Sequence, residues 1–199
     1  YTHTEMAQVI QDIQYSFPHL VKVSVIGQSF LGKDLWALEI TNRHYGDPLS
    51  KPAFIAMGPH HGDEAIGVNV VLYFTWYLLT NYGEDPEITQ ILNTKTIYVI
   101  PMVNPDGNDI TLKQDVYGRF NARPMDEDFD GLIDEDGPED INGDGKITDM
   151  RKWDPTIEDY IWYPFEGIDN DGDGLINEDW YGGVDLNRNY EYGWQPLPP

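Results

Sequence analysis

Two short apolar runs set the strongest limit on how this chain can fold. Ala53–Met57 is wholly apolar and Thr96–Val103 nearly so, and both are short for a helix. Runs of that length and composition are the kind buried on both faces of a sheet. Between them, Glu64–Tyr82 has the pattern of a helix, and Asp85–Leu92 adds a short second one. Upstream, Met6, Val9, Ile10 and Ile13 recur at helical spacing over Thr4–Phe17, behind a Thr cap and before a stop at Pro18. Val21–Ile26 and Leu35–Ile40 are alternating, branched-rich runs on either side of Gly27–Lys33, where Gly32 suits a turn, so they predict a strand pair. Strands alternating with helices predict an α/β fold, a mixed β-sheet flanked by helices.

Each buried run ends in a polar motif, and open α/β sheets bind ligands at the carboxyl ends of their strands. After the first come Gly58-Pro59-His60-His61, with Glu64 three residues beyond His61, where strand gives way to helix. An imidazole and a carboxylate so placed can converge on one cation, and zinc accepts that pair. A surface histidine beside a glutamate in a helix's first turn has the same spacing. After the second run come Asn104-Pro105-Asp106-Gly107, a composition that also suits a simple turn. Later, Val184-Asp185-Leu186-Asn187-Arg188-Asn189 sets an amide beside a guanidinium. That pair suits forked hydrogen bonds to a carboxylate, and equally an ordinary polar loop.

Taken in order, these segments resemble the carboxypeptidase A/B family of zinc metallocarboxypeptidases, the funnelins. The likeness runs from the N-terminal helix through Ile26-Gly27-Gln28-Ser29 and Gly32-Lys33 to His61-Gly62-Asp63-Glu64. It continues through Asn81-Tyr82-Gly83-Glu84-Asp85-Pro86 and Asn104-Pro105-Asp106-Gly107 to Gly183–Asn189. The resemblance implies His61 and Glu64 as two of three protein ligands to a catalytic Zn2+. It implies Asn187 and Arg188 as the clamp on the C-terminal carboxylate of a peptide or protein, from which the terminal amino acid is released. It also implies an arginine after the Asn-Pro-Asp-Gly motif that stabilises the oxyanion. Arg119 matches best and Arg123 is the alternative, although a surface salt bridge would suit either.

The family's third zinc ligand, a histidine, and its general base, a glutamate, are expected well downstream of Asn187 and Arg188. No histidine follows His61 in this sequence. The resemblance therefore covers the N-terminal half of a carboxypeptidase-like domain, inert alone and completed by a downstream segment or a second chain. The alternative is a non-catalytic, calcium-stabilised structural or binding module derived from that fold. Without further strands, the sheet is expected to present an unpaired edge and apolar helix faces. His60 resembles no family ligand and is expected to pack or hydrogen-bond locally.

The charge of this chain is regional. Acidic residues number 35 against 12 basic ones, for a net charge of −23, and 21 of the 35 lie between Asp126 and Asp185. Such a balance repels nucleic-acid phosphates and anionic lipid, which excludes both as partners, and it attracts hard cations. Without cysteine there is no disulfide, no thiolate metal site and no cysteine nucleophile. The longest apolar stretch, Ala65–Leu79, is interrupted by Asn69 and is too short for a membrane span. A start at Tyr1 fits the earlier removal of an upstream leader.

Beyond Arg123 the regular patterning stops. Residues 126–181 read as a loop-like acidic insertion between carboxypeptidase-like parts at 1–125 and 182–199. The insertion repeats itself: Asp126-Glu127-Asp128-Phe129-Asp130-Gly131-Leu132-Ile133-Asp134-Glu135-Asp136 is echoed by Asp169-Asn170-Asp171-Gly172-Asp173-Gly174-Leu175-Ile176-Asn177-Glu178-Asp179. Calcium loops place oxygens at positions one, three and five and glycine at six. Three segments comply: Asp126, Asp128, Asp130 with Gly131; Asp140, Asn142, Asp144 with Gly145; and Asp169, Asp171, Asp173 with Gly174. They are similar to calcium loops of dockerin and thrombospondin type. Their twelfth positions, Gly137, Arg151 and Trp180, lack the usual glutamate, so Asp134, Asp136, Asp149 and Asp179 are expected to complete the shells. The expectation is structural Ca2+, against the plainer reading of a solvated acidic loop. Loops this weak fill at the millimolar calcium found outside cells, which predicts a secreted or cell-surface protein. Trp153, Trp162, Tyr163, Phe165 and Trp180 are expected to form the insertion's small core.

Overall fold

The computed structural model describes residues 1–114, 118–179 and 182–191. Its first helix, α1 (His3–Ser16), opens with a capping box, in which Thr2 Oγ1 accepts from the Glu5 amide and the Glu5 carboxylate accepts from the Thr2 amide at 2.8 Å. There follow β1 (Val21–Gln28), β2 (Asp34–Ile40), β3 (Ala53–Met57), α2 (Ile66–Asn81), α3 (Pro86–Thr94), β4 (Thr96–Ile100) and α4 (Pro105–Gln114). The strands form one sheet in the order β1-β2-β4-β3, with β3 parallel to β4 and the other pairs antiparallel. This is the mixed sheet flanked by helices that the patterning predicts.

Register explains the core. Val21, Ile40, Ile97 and Phe54 are aligned across the sheet, as are Val23, Leu38, Val99 and Ala56. Successive residues of a strand face opposite sides, so these two rows lie on one face. Their buried members join Met6 and Ile10 of α1, Val68, Leu72 and Leu79 of α2, and Leu92 of α3 in a single cluster.

Two expectations about the strands need correction. β4 ends at Ile100 rather than Val103, because Pro101 follows and has no amide to continue the ladder. β3 is not buried on both faces: it is last in the sheet order, and Phe54, Ile55 and Met57 are 58%, 52% and 43% exposed. Burial of such a strand needs a neighbour on its outer edge, and among the described residues it has none. Helix α2 repeats the theme. Val68, Val71, Leu72, Leu78 and Leu79 are buried, while Ile66, Val70, Tyr73 and Tyr77 form a second apolar stripe that is exposed. A helix apolar all round is built for burial on both sides.

The acidic segment holds more regular structure than expected. β5 (Asp149–Asp154) and β6 (Asp159–Phe165) form an antiparallel hairpin. Both strands are largely exposed, so no buried face imprinted an alternation on their sequence. The aromatic core expected there is not formed by Trp153 and Trp162, which are 49% and 65% exposed. Trp153 instead meets Tyr160 edge-on at 5.2 Å, and the Lys152 ammonium lies 5.0 Å from the Tyr163 ring centre. Tyr163 and Phe165 are half-buried, and Trp180 lies outside the described residues. At the base of the segment, the Asn121 amide bonds the Val184 carbonyl and the Gly183 amide bonds the Arg123 carbonyl, at 3.1 and 3.0 Å. The chain thus leaves and rejoins the sheet-and-helix body at one place.

Candidate functional site

Backbone-to-backbone packing positions the motifs at the strand ends. A Cβ on Gly62 would lie 2.0 Å from the Gly107 carbonyl carbon and 2.4 Å from the Gly118 carbonyl oxygen. Only glycine permits that approach, which seats the His61 loop directly on the start of α4. Asn104-Pro105-Asp106-Gly107 is not a free turn. It opens α4, with the Asn104 carboxamide accepting from the Gly107 amide at 3.0 Å and proline at the first helical position. The other end of the same carboxamide donates to the Phe120 carbonyl at 2.9 Å, which holds the stretch carrying Arg119. Asp106 is fully buried and accepts from Ser29 Oγ and the Leu31 amide at 2.9 and 3.1 Å, with Lys33 Nζ at 3.5 Å. The Gly27–Lys33 turn is thereby tied to the same platform.

His61 stands at the centre. Its imidazole is buried, with Nδ1 at 3.0 Å from Glu64 Oε1 and Nε2 at 3.0 Å from Asp185 Oδ1. Glu64 sits in the turn just ahead of α2, and its side chain is largely exposed. Asp185 Oδ2 accepts from Arg119 Nε at 3.1 Å, so one carboxylate holds both the histidine and the arginine. Burial pushes the Asp185 carboxyl up, but the hydrogen bonds from His61 and the Asn187 amide, with the His61 and Arg119 charges, hold it below the usual range. A neutral imidazole has one donor, and here both nitrogens face groups that only accept. Either a second proton or a cation between Nδ1 and Glu64 satisfies the arrangement. The set of one nitrogen and one carboxylate oxygen, with a carboxylate behind the imidazole, suits zinc. Sequence reasoning gives Asp185 no role, because its meeting with His61 is made only by the fold.

Asn187 and Arg188 lie on a single 3₁₀ turn (Leu186–Arg188), where the Asp185 carboxylate caps the turn by accepting from the Asn187 amide. Both are exposed. Asn187, Glu64 and His60 line a groove of about 530 Å³ with Met57 and Val70, whereas Arg188 does not line it and bonds the Asn187 carbonyl at 3.2 Å. His60 meets the Tyr190 hydroxyl and ring. Burial, then the neighbouring His61, pushes its pKa down. The backbone of Arg123 serves the insertion's base, and the residue is exposed. Of the two arginine candidates, Arg119 is the one brought to Asp185.

A family model described as zinc carboxypeptidase matches residues 6–197. The chain belongs to the zinc carboxypeptidase family. It is 34% identical over 126 residues to carboxypeptidase D of Drosophila melanogaster, covering 62% of this chain and 9% of that protein. It is 31% identical over 130 residues to carboxypeptidase M of Mus musculus, covering 63% and 29%. The carboxypeptidase chain thus spans under a third of either relative. Among solved structures, thrombin activatable fibrinolysis inhibitor superposes with a TM-score of 0.58 at 24% identity, over 69% of this chain and 34% of that one. Carboxypeptidase A from Helicoverpa armigera gives 0.57 at 23%, over 72% and 35%. Both show the shared fold.

The acidic loops share one hydrogen-bond pattern. In each, the first Asp accepts from the amides of positions four and six through its two oxygens: Asp126 from Phe129 and Gly131, Asp140 from Gly143 and Gly145, Asp169 from Gly172 and Gly174. The sixth-position glycines all have positive φ, 100°, 87° and 97°, as the tight turn requires. The loops differ in their company. Carboxylate oxygens of Asp126, Asp128 and Asp179 lie within 4.8 Å of one another, as do those of Asp128, Asp130 and Asp171, and those of Asp136, Asp169 and Asp171. Asp140, Asp144, Asp134, Asp149 and Asp173 join no such group among the described residues. Asn142 donates to buried Glu166, and Asp134 bonds the Met125 backbone. Glu135 and Glu178 are each pushed up to about 7, first by burial and then by Asp179 and Asp136 respectively.

Proposed function

We propose that this chain is the first part of the catalytic domain of a zinc metallocarboxypeptidase that releases C-terminal amino acids from peptides. The observation that carries this reading is the buried His61 imidazole held between Glu64 and Asp185, with Arg119 on the same Asp185 carboxylate. His61 Nδ1 and Glu64 would hold the zinc, leaving further positions for ligands outside this chain. Zinc so held supplies Lewis acidity at the scissile carbonyl. Asp185 keeps the Nε2 proton and orients the ring so that Nδ1 presents its lone pair. Arg119, held through Nε on the same Asp185 carboxylate, would bring its guanidinium charge to developing negative charge. Asn187, on the groove wall, and Arg188 would engage the substrate's terminal carboxylate.

The exposed outer edge of β3 and the second apolar stripe of α2 support the reading of an incomplete domain, closed by a downstream segment or second chain. The acidic segment is read as calcium-binding and structural, with millimolar calcium placing the protein outside the cell or at its surface. No helix among the described residues is long and apolar enough to cross a membrane.

Metal analysis tests the proposal. The chain takes up zinc, and His61→Ala lowers its affinity by ~100-fold or more. The polypeptide that includes the remaining domain cleaves a C-terminal peptide substrate and loses that activity in His61→Ala. Zinc uptake unchanged in His61→Ala refutes the site. Calcium uptake with no zinc at all favours the alternative, a calcium-stabilised binding module without catalysis.

A further inference from the structure

The two acidic repeats exchange their last aspartates. Asp136 closes the first repeat, yet its carboxylate belongs with Asp169 and Asp171 of the second. Asp179 closes the second repeat and stands with Asp126 and Asp128 of the first. The backbone follows the same exchange: Asp136 Oδ1 accepts from the Asn170 amide at 3.3 Å, and Asp179 Oδ1 accepts from the equivalent Glu127 amide at 2.8 Å.

Asp136 shows that this is more than a crowd of surface carboxylates. It is 2% exposed, and its Oδ2 is buried without any donor. Both carboxylate oxygens of Glu178, which neighbours it, are also buried without a donor. A buried carboxylate oxygen with no donor is costly unless a cation meets it. Oxygen-only donors from several carboxylates, around a loop with a left-handed glycine at the sixth position, suit a hard cation with many ligands.

We propose that a calcium ion binds Asp136, Asp169 and Asp171 together, so that the second repeat's loop is completed by the first repeat and the ion clasps the two across the hairpin that separates them. This rests on the calcium reading of the insertion given above and adds its architecture. A loop that supplied all its own ligands would bind calcium without Asp136. The clasped site does not.

Calorimetric titration of calcium chloride into the full chain, freed of metal by chelator, tests this with Asp136→Asn, Asp169→Asn and the double variant. The wild type binds calcium. Each single variant weakens the same site by about tenfold or more, and the double variant loses it without a further independent loss elsewhere. Limited proteolysis between Gly137 and Ile168 slows when calcium is added to the wild type and not when it is added to Asp136→Asn. If Asp169→Asn abolishes a site that Asp136→Asn leaves intact, the clasp is wrong and the calcium reading stands. If the wild type binds no calcium at about 10 mM, both fall. Should Asp136→Asn fail to fold, Asp136→Glu, which keeps the charge but displaces the oxygens, is titrated in its place, and unchanged affinity at the site that Asp169→Asn removes overturns the clasp.

Discussion

The sheet-and-helix body and the acidic segment of this chain handle their carboxylates in opposite ways. In the body three carboxylates meet protein cations. Asp106 and Asp109 share Lys33, Asp109 also takes Lys113 at 2.7 Å, and Asp185 takes Arg119. In the acidic segment, Glu178 faces Asp136 and Glu135 faces Asp179, and burial together with the facing carboxylate pushes each glutamate up. The body is organised by a hydrophobic cluster, whereas the insertion leaves Leu132, Ile133, Trp153 and Leu175 exposed. One region carries its counter-charges within its own sequence. The other gathers carboxylates on one another.

The largest contrast is expected in packing. Leu38→Ala, at a fully buried position, lowers stability by about 2–5 kcal/mol with or without calcium, while Leu132→Ala on the insertion stays within about 0.5 kcal/mol. Urea midpoints check this, and equal losses would break the distinction. Calcium comes next: at about 100 times its dissociation constant it adds about 2.7 kcal/mol, and the Leu38→Ala loss should add to the effect of chelation. Asp185→Asn is expected to lower zinc affinity by about 10–100-fold while leaving the calcium titration curve in place. A shifted calcium curve would mean that the two regions are not separable.

The smallest effect is in pH, and its sign differs between the regions. Glu135 and Glu178, raised from 4.5 to about 7, keep protons in the folded chain that the unfolded chain releases. The folded state binds more protons in that window, so the calcium-free insertion loses stability as pH rises through it and levels off above. Asp109 is held low by Lys113, the His3 amide and Lys33 against its burial, so its contribution is full above its ordinary 3.8 and is lost as pH falls through the folded value. Urea midpoints in chelator at about pH 5 and about pH 7.5 should therefore fall with pH for the insertion and stay level for the body.

Much of the body was legible because its signals are local. Apolar periodicity located α1, β1, β2 and the zinc-type motif at the end of β3, and several of the segments behind the family resemblance meet on one platform. Glu64 and His61 are neighbours in sequence, so their convergence could be anticipated. Asp185 contacts His61 across 124 positions, and nothing in its immediate surroundings marks that meeting. The exposure of β3 was not legible from its own residues either, since an apolar run records the burial it is built for and not the neighbours present. In the insertion, the loops were plain from their spacing, but the exchange of Asp136 and Asp179 between repeats depends on how two like segments face each other. Spacing within one repeat carries no trace of that.

The meeting of Arg123 with Gly183 has a consequence for how such a chain can change. Two ends already in contact can be joined by a short bridge or a long one at nearly the same entropic cost, because closure entropy grows only with the logarithm of length. The scaffold therefore exerts little pressure on what lies between them. Whole modules can be exchanged, lengthened or trimmed at that junction while the histidine, its carboxylates and the arginine keep their places. Domain grafting in this fold has a natural splice point, and a chimera that joins residue 123 to residue 183 through a few flexible residues is the simplest molecule to build there.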